Sequence, residues 1–181
     1  MEKLIVDPAS YFEAKQGPNK KTRLNRVKET SSKKTDIKTS QKGNAFKHTK
    51  TGPRVDLDFV CRSGWEANVA RVLKLHDIKF DFEPEVFYFP VKRGTKAYTP
   101  DFYLKKTDEW IEVKGFLDDK SRTKIKRFKT YYPEKFEKLI IITSKYNKKC
   151  KQLCEDLEIN VIFYEELSRT YKDRISLWEG K

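Results

Sequence analysis

Three polar residues near the middle of this 181-residue chain have the types and spacing that metal-assisted chemistry requires. Asp101 follows Pro100 in the segment TPDFYL, and Glu112 and Lys114 flank Val113 in the segment WIEVKG. Side chains alternate along a β-strand, so Glu112 and Lys114 are predicted to share one face, with Val113 buried on the other. If the two segments pair as a hairpin, Asp101 and Glu112 converge at one end. Neighbouring carboxylates repel each other, and a hard cation such as Mg²⁺ is the usual compensation.

A lysine and a third carboxylate would complete a site for phosphodiester hydrolysis. Lys114 would orient or deprotonate the attacking water, or offset charge on the transition state. Glu66, in the segment RSGWE at the start of a predicted helix, would reach the metal from that helix. Each residue also has an ordinary interpretation: Ser63-x-x-Glu66 is a capping box, Glu112 and Lys114 could be a simple salt bridge, and Asp101 could form a turn. Their combination in this order favours hydrolysis.

The elements that must position these residues follow from hydrophobic periodicity. Helices are predicted at residues 63–75, at about 121–132 and at about 145–157. Strands are predicted at residues 78–82, 86–90, 98–104, 110–114, 139–143 and 161–164. The order of a helix, antiparallel strands and then β-α-β-α-β predicts an α/β fold with a mixed β-sheet flanked by helices.

The cysteines do not suggest a metal site. Cys150 and Cys154 are four residues apart, but the two histidines of the chain lie nowhere near zinc-ligand spacing. On the helix at about 145–157 both cysteines would share an apolar face with Tyr146, Leu153 and Leu157. Buried thiols are therefore the favoured interpretation.

The charge of the chain predicts a polyanionic partner. It carries 40 Lys or Arg against 27 Asp or Glu, a formal net charge of +13. No apolar run approaches the roughly 18 to 20 residues that span a bilayer, so nucleic acid is preferred over a membrane. Residues 1–54 hold 14 basic and 5 acidic residues with almost no apolar periodicity. We therefore predict a basic N-terminal arm at 1–55, flexible or DNA-contacting, and a catalytic domain at 56–181. A disordered, solubilising tail is the alternative.

Five further basic residues are candidates for contacts with DNA phosphates. They are Arg62, Arg122, Lys124, Lys126 and Arg127. The last four occupy the basic side of the helix predicted at about 121–132, where an ordinary solvated helix face is the alternative.

The motif around the hairpin resembles that of the PD-(D/E)XK nuclease superfamily, which Pro100, Asp101, Glu112, Val113 and Lys114 match. More narrowly, RSGWE, DIKFDFEPE, YTPDFYL, IEVKGFLDD and LIIITS resemble the phage endonuclease I type of Holliday-junction resolvase and related phage homing-type endonucleases. The resemblance covers roughly residues 60–165. It implies a restriction-endonuclease-like fold and two-metal hydrolysis that leaves 5′-phosphate and 3′-hydroxyl ends.

The resemblance also implies roles for individual residues. Glu66, Asp101, Glu112 and the Val113 carbonyl are expected to bind Mg²⁺, for which Mn²⁺ would substitute, and Lys114 is expected to be the catalytic lysine. The basic segment before residue 55 is longer than the lead-in of the compact resolvases, and such modules are more typical of the homing-type relatives.

Residues and resemblance together predict a Mg²⁺-dependent endodeoxyribonuclease. The expected substrate is branched DNA such as a Holliday junction, cut by a homodimer, in the host cytoplasm if the protein is phage-encoded. One alternative is a site-specific or homing-type phage endonuclease acting on duplex DNA. Others are a DNA-binding protein with an inactive site, and RNA cleavage.

Overall fold

The computed structural model describes residues 5–15 and 52–180. The strands are β1 (Gly52–Pro53), β2 (Val60–Cys61), β3 (Phe80–Phe82), β4 (Phe87–Tyr88), β5 (Ala97–Tyr98), β6 (Phe102–Leu104), β7 (Glu109–Lys114), β8 (Leu139–Thr143) and β9 (Asn160–Phe163). The helices are α1 (Pro8–Ala14), α2 (Gly64–Leu75), α3 (Asp119–Tyr131), α4 (Pro133–Phe136), α5 (Lys148–Leu157), α6 (Tyr164–Thr170) and α7 (Lys172–Glu179). Among the described residues, no helix combines the length and the apolar character needed to span a bilayer.

A five-stranded sheet in the order β3-β6-β7-β8-β9 forms the centre of the fold. In this sheet β6 pairs antiparallel with both β3 and β7, whereas β8 pairs parallel with both β7 and β9. Strands β1 and β2 form a separate antiparallel pair, as do β4 and β5. The predicted α/β fold with a mixed sheet flanked by helices is confirmed.

Strand β8 shows why this sheet needs helices on both faces. All five of its residues, LIIIT, are buried. Ile140 and Ile142 join a core formed with α1, α2, α6 and α7, whereas Leu139 and Ile141 join a second core formed with α3, α4 and α5. A strand that is buried at every position is stable only when both of its faces are covered.

The first helix belongs to this folded domain. Phe12 of α1 is fully buried, with its ring 6.4 Å from that of Tyr171. Upstream of the helix, Val6 N–H donates to the Val161 carbonyl at 3.0 Å, on the outer edge of β9. Residues 5–15, which sequence analysis assigned to the basic arm, therefore pack against the domain. Residues 1–4 and 16–51 of the predicted arm lie outside the described residues.

The prediction of one continuous strand at 98–104 is wrong, because two strands of different sheets lie there. Tyr98 ends β5, which pairs with β4 in the small sheet, and Phe102 begins β6, which pairs with β3 and β7. Pro100 lies between them and has no N–H to donate to a ladder, so the chain changes sheet there. The predicted strand at 86–90 likewise belongs to the small sheet, as β4, and not to the central one.

The apolar face predicted around the cysteines needs one correction. Cys150 and Cys154 are buried thiols, as predicted. However, α5 begins only at Lys148, and Tyr146 precedes it with 74% of its surface exposed. Asn147 caps the helix by accepting from Cys150 N–H, which fixes the start of α5 after the tyrosine.

Candidate active site

The antiparallel pairing of β6 and β7 brings two carboxylates together. The register pairs Phe102 with Ile111, so the next positions outward are Asp101 and Glu112. Their exposed fractions are only 7% and 2%. Asp101 Oδ2 accepts from the backbone N–H of Val113 at 2.7 Å, which ties the end of one strand to the other.

This pair carries a surplus of negative charge. Burial, followed by the nearby Glu112 carboxylate, holds the pKa of Asp101 well above its usual range, and the charge of Glu66 acts in the same direction. The Val113 N–H and Lys114 oppose the rise without cancelling it. A site of this kind favours the arrival of a cation, because the cation replaces repulsion between carboxylates with attraction.

Glu112 is held from two sides. Lys114 Nζ lies 2.6 Å from Glu112 Oε1, and the buried Tyr98 hydroxyl donates to Glu112 Oε2 at 3.1 Å. Burial disfavours the ammonium form of Lys114, but the Glu112 carboxylate, with Asp101 and Asp118, outweighs it and raises the pKa of Lys114 above its ordinary value. Burial, reinforced by Glu112, raises the pKa of Tyr98 well above its ordinary value, so its hydroxyl remains a hydrogen-bond donor.

The backbone at the end of β7 is fixed from β8. Lys114 pairs with Thr143 in the parallel ladder, and the Thr143 hydroxyl donates to the Lys114 carbonyl at 2.7 Å. One residue further, Asn147 Nδ2 donates to the Gly115 carbonyl at 3.3 Å. Sequence analysis missed Tyr98 and Thr143 as positioning residues. The available clues were their places in YTPD and at the polar end of LIIIT.

Glu66 forms part of the capping box that its spacing from Ser63 predicts, but its side chain accepts from the Arg62 N–H and the Ser63 hydroxyl, whereas a full capping box uses the Ser63 N–H. The Ser63 hydroxyl accepts from Glu66 N–H at 3.1 Å and donates to Glu66 Oε1 at 2.9 Å. Glu66 Oε2 accepts from the N–H of Arg62 at 2.7 Å. The side chain is nevertheless buried, and its charge acts on Asp101. Glu66 is therefore close enough to act on Asp101 through its charge, while both of its oxygens have local donors.

The donors suit a hard cation only in part. Across residues 5–15 and 52–180, no three His, Cys, Asp or Glu side chains are arranged to hold a metal ion. The oxygens of Asp101, Glu112 and the Val113 carbonyl are of the type that Mg²⁺ prefers. A third carboxylate ligand would require Glu66 to exchange one local hydrogen bond for the metal.

The five candidate DNA contacts differ in their surroundings. Arg62 is exposed at the start of α2 and pairs with Glu83 at 2.5 Å. Arg127 donates instead to the carbonyls of Thr95 and Arg93, so it fastens the β4–β5 loop onto α3. The other three, Arg122, Lys124 and Lys126, lie along α3, where Lys126 is exposed and the first two are half-buried.

A mixed sheet that buries two carboxylates beside a lysine, in a chain of net charge +13, is the arrangement expected of a nuclease. The model of the phage endonuclease I family matches residues 49–155, more than half of the chain. The chain belongs to the phage endonuclease I family, which identifies it as an endonuclease with DNA as its substrate. No curated protein and no solved structure matches the chain. The matched range contains Glu66, Asp101, Glu112 and Lys114, whereas α1, α6 and α7 lie outside it.

Proposed function

We propose that this endonuclease is a Mg²⁺-dependent enzyme of the PD-(D/E)XK type that cuts branched DNA such as four-way junctions. The observation that carries the proposal is the buried pair of Asp101 and Glu112 beside the Lys114 ammonium group. Burying two carboxylates side by side is costly unless a cation compensates them. A single lysine offsets only one of the two charges.

In this proposal Glu66, Asp101, Glu112 and the Val113 carbonyl hold the metal, and Mn²⁺ substitutes for Mg²⁺. The metal would supply Lewis-acid polarisation of the scissile phosphate and activation of the attacking water. Asp101 is already oriented by the Val113 N–H, at 2.7 Å. Fixed ligands lose little freedom on binding, so the two strands would present a partly preorganised site.

Lys114 would act on the phosphate directly. Its ammonium group has three N–H donors, so Lys114 can hold Glu112 and still donate to a phosphate oxygen. A cation at that position stabilises charge that develops on the phosphate in the transition state. Thr143 would keep the lysine in place through its hydrogen bond to the Lys114 carbonyl.

Two considerations favour branched DNA over a defined duplex site. A site-specific enzyme must read base edges in the grooves, which takes contact surface beyond the catalytic core. Within the described residues, the connections between the central strands and their helices are short, with no inserted domain to read bases. Recognition through phosphates fits better, with Arg62, Arg122, Lys124, Lys126 and the basic segment at 16–51 as contacts. Resolution needs two coordinated cuts, so we also propose a homodimer, acting in the host cytoplasm.

Cleavage of a four-way junction beside linear duplexes of the same sequence tests this proposal. With Mg²⁺ or Mn²⁺ the junction should be cut well ahead of the duplexes, and EDTA should stop the reaction. Asp101→Ala, Glu112→Ala and Lys114→Ala should each abolish cleavage while DNA binding survives. Asp81→Ala is a matched control, because Asp81 forms an exposed ion pair with Lys105 on the same sheet, at 2.8 Å.

Specific results would contradict each part of the proposal. Activity within a few-fold of wild type in any of the three variants would remove that residue from the site. Cleavage at one defined duplex site with junctions ignored would favour the homing-type alternative. DNA binding without any cleavage would favour an inactive DNA-binding protein, and sedimentation of a monomer bound to a junction would rule out the dimer.

A further inference from the structure

Two exposed aromatic rings lie just beyond the C-terminal ends of β7 and β8, the end of the sheet where Lys114 is found. Phe116 is 76% exposed and Tyr146 is 74% exposed, the largest values for aromatic residues in the described part of the chain. Phe116 follows Lys114 by two residues, and Tyr146 follows Thr143, the ladder partner of Lys114, by three. Since β7 and β8 run parallel, both rings emerge at the same end of the sheet.

The backbone that carries Tyr146 is fastened in place. Glu165 of α6 accepts from the Ser144 hydroxyl and from Lys145 N–H, the latter at 2.9 Å. Tyr146 N–H donates to Ser144 Oγ at 3.1 Å, and Asn147 donates to the Gly115 carbonyl. Because these hydrogen bonds fix the backbone of the turn, the Tyr146 ring is not exposed merely by local unfolding. Exposure of Tyr146 is therefore a feature of the fold.

The surroundings of the two rings are basic. Lys145 Nζ lies 5.1 Å from the centre of the Tyr146 ring. Three further exposed lysines lie in the first turns of α3 and α5, the helices that begin just beyond β7 and β8: Lys120, Lys148 and Lys149. Asp118 and Asp119 also lie at the start of α3, but Asp118 caps the helix by accepting from the Ser121 N–H. Aromatic rings among cations, beside a nuclease site, match the chemistry of nucleic-acid bases on a charged backbone.

We propose that Phe116 and Tyr146 stack on a base whose stacking is interrupted at the branch point of the DNA, and thereby set the preference for branched over linear DNA. This inference rests on the proposed cleavage of branched DNA. In a linear duplex each base is stacked between its neighbours, so the rings have no face to bind. At a branch point that stacking is interrupted. Every base has a π-face, so the contact selects structure without selecting sequence.

Fluorescence of 2-aminopurine placed at the branch point of a four-way junction tests the stacking directly. In EDTA, where no cleavage is expected, binding of the wild-type chain should change the emission, and the Phe116→Ala/Tyr146→Ala double variant should not produce that change. Stacking is worth roughly 5-fold to 150-fold in affinity per base. The ratio of junction affinity to linear-duplex affinity should fall by a factor in that range.

Matched variants separate stacking from other effects. Tyr88→Ala removes a ring that is 68% exposed next to Phe87, which packs on Trp110 near the opposite end of β7. It should leave the ratio unchanged. Phe116→Tyr/Tyr146→Phe keeps both rings and should retain the emission change. An equal loss in this conservative variant, or an unchanged ratio and emission in the alanine double variant, would overturn the inference.

These outcomes remain distinct from a failure of the proposed function. A wild-type chain that cuts no junction in Mg²⁺ would contradict the proposed function, while the emission change in EDTA still decides the stacking. Junction cleavage that depends on Asp101, together with an unaltered affinity ratio in the alanine double variant, would remove the stacking inference alone.

Discussion

Substitution of Tyr98 by phenylalanine tests how the carboxylate pair is held in place. The change deletes one buried hydroxyl, which donates to Glu112 Oε2 at 3.1 Å, and leaves the ring in the second core. Glu112 is only 2% exposed, so water cannot readily replace the missing donor. The variant should therefore be less stable, and its site should bind metal more weakly.

The size of the effect follows from the charged acceptor. A hydrogen bond to a charged group contributes about 1.5–3 kcal/mol to stability. For a chain of this length, 1 kcal/mol lowers the Tm by about 2–4 °C, so Tyr98→Phe should lower the Tm by roughly 3–12 °C. Loss of a group that orients a metal ligand costs roughly 10-fold to 100-fold in metal affinity or activity.

Thermal unfolding in EDTA and calorimetric titration with Mn²⁺ measure these two effects without relying on cleavage. Tyr103→Phe is the matched control, because the Tyr103 hydroxyl donates to Asp108 at 2.9 Å on the exposed surface. That change should cost about 0.5 kcal/mol or less. Combination with Glu112→Gln completes the comparison: the cost of Tyr98→Phe should fall towards the roughly 1 kcal/mol of a neutral hydrogen bond.

Two results would refute this reasoning. If Tyr98→Phe costs no more than Tyr103→Phe, the buried hydrogen bond does not stabilise the site. If the cost of Tyr98→Phe is the same with Glu112 and with glutamine in its place, the effect does not pass through the carboxylate. If Tyr98→Phe binds Mn²⁺ as tightly as the wild type, Tyr98 does not position Glu112 for the metal.

Four further predictions concern other parts of the chain. Glu66→Gln keeps the capping box but supplies a poor metal ligand, so cleavage should disappear with the Tm nearly unchanged; full activity would leave Glu66 with capping alone. Phe12→Ala should lower the free energy of unfolding in urea by about 3–5 kcal/mol, because the ring is fully buried, and an unchanged midpoint would show that α1 does not stabilise the domain. Replacing the 11 Lys and Arg of residues 16–51 with Gln should flatten the dependence of log affinity on log salt by about 0.9 for each DNA phosphate that this segment neutralises; an unaltered slope would identify a passive tail. Although burial opposes the shift, hydrogen bonds from Ser144 and the Lys145 N–H lower the pKa of Glu165 below its ordinary 4.5, so its contribution to stability is present at neutral pH and disappears as the pH falls through the lowered value. The Tm difference between wild type and Glu165→Gln should therefore vanish in acid, and a difference that persists there would refute the linkage.

Much of the central sheet is predictable from local pattern. Strand β8 coincides with the continuous apolar run at 139–143, and α2 begins after Ser63, where the capping residue predicts it. Both predictions depend on neighbours within a few residues, such as a continuous apolar run or a side chain that caps free N–H groups. Local patterns of this kind can be recognised without knowledge of any distant contact.

Other features depend on residues that are far apart in the chain. Helical periodicity placed Tyr146 on an apolar face, but Glu165 and Asn147 hold it in an exposed turn. The apolar residues of α1 were overlooked within a segment judged by its overall charge. Their burial needs α6 and α7, which supply the opposing surface more than 150 residues away.

Some features of the candidate site are likewise set by local sequence, and others by tertiary packing. Local sequence is enough to place Glu112 and Lys114 on one face, because two residues along a strand return a side chain to the same side. It is also enough to place Asp101 beside them, because a short connection between two strands leaves little choice but a hairpin. How the cluster is held depends instead on tertiary packing, with Tyr98 coming from the small sheet and Thr143 from a parallel neighbour. Parallel pairing and sheet-to-sheet packing join segments that no local spacing relates, so these partners are set by the packing of the whole domain.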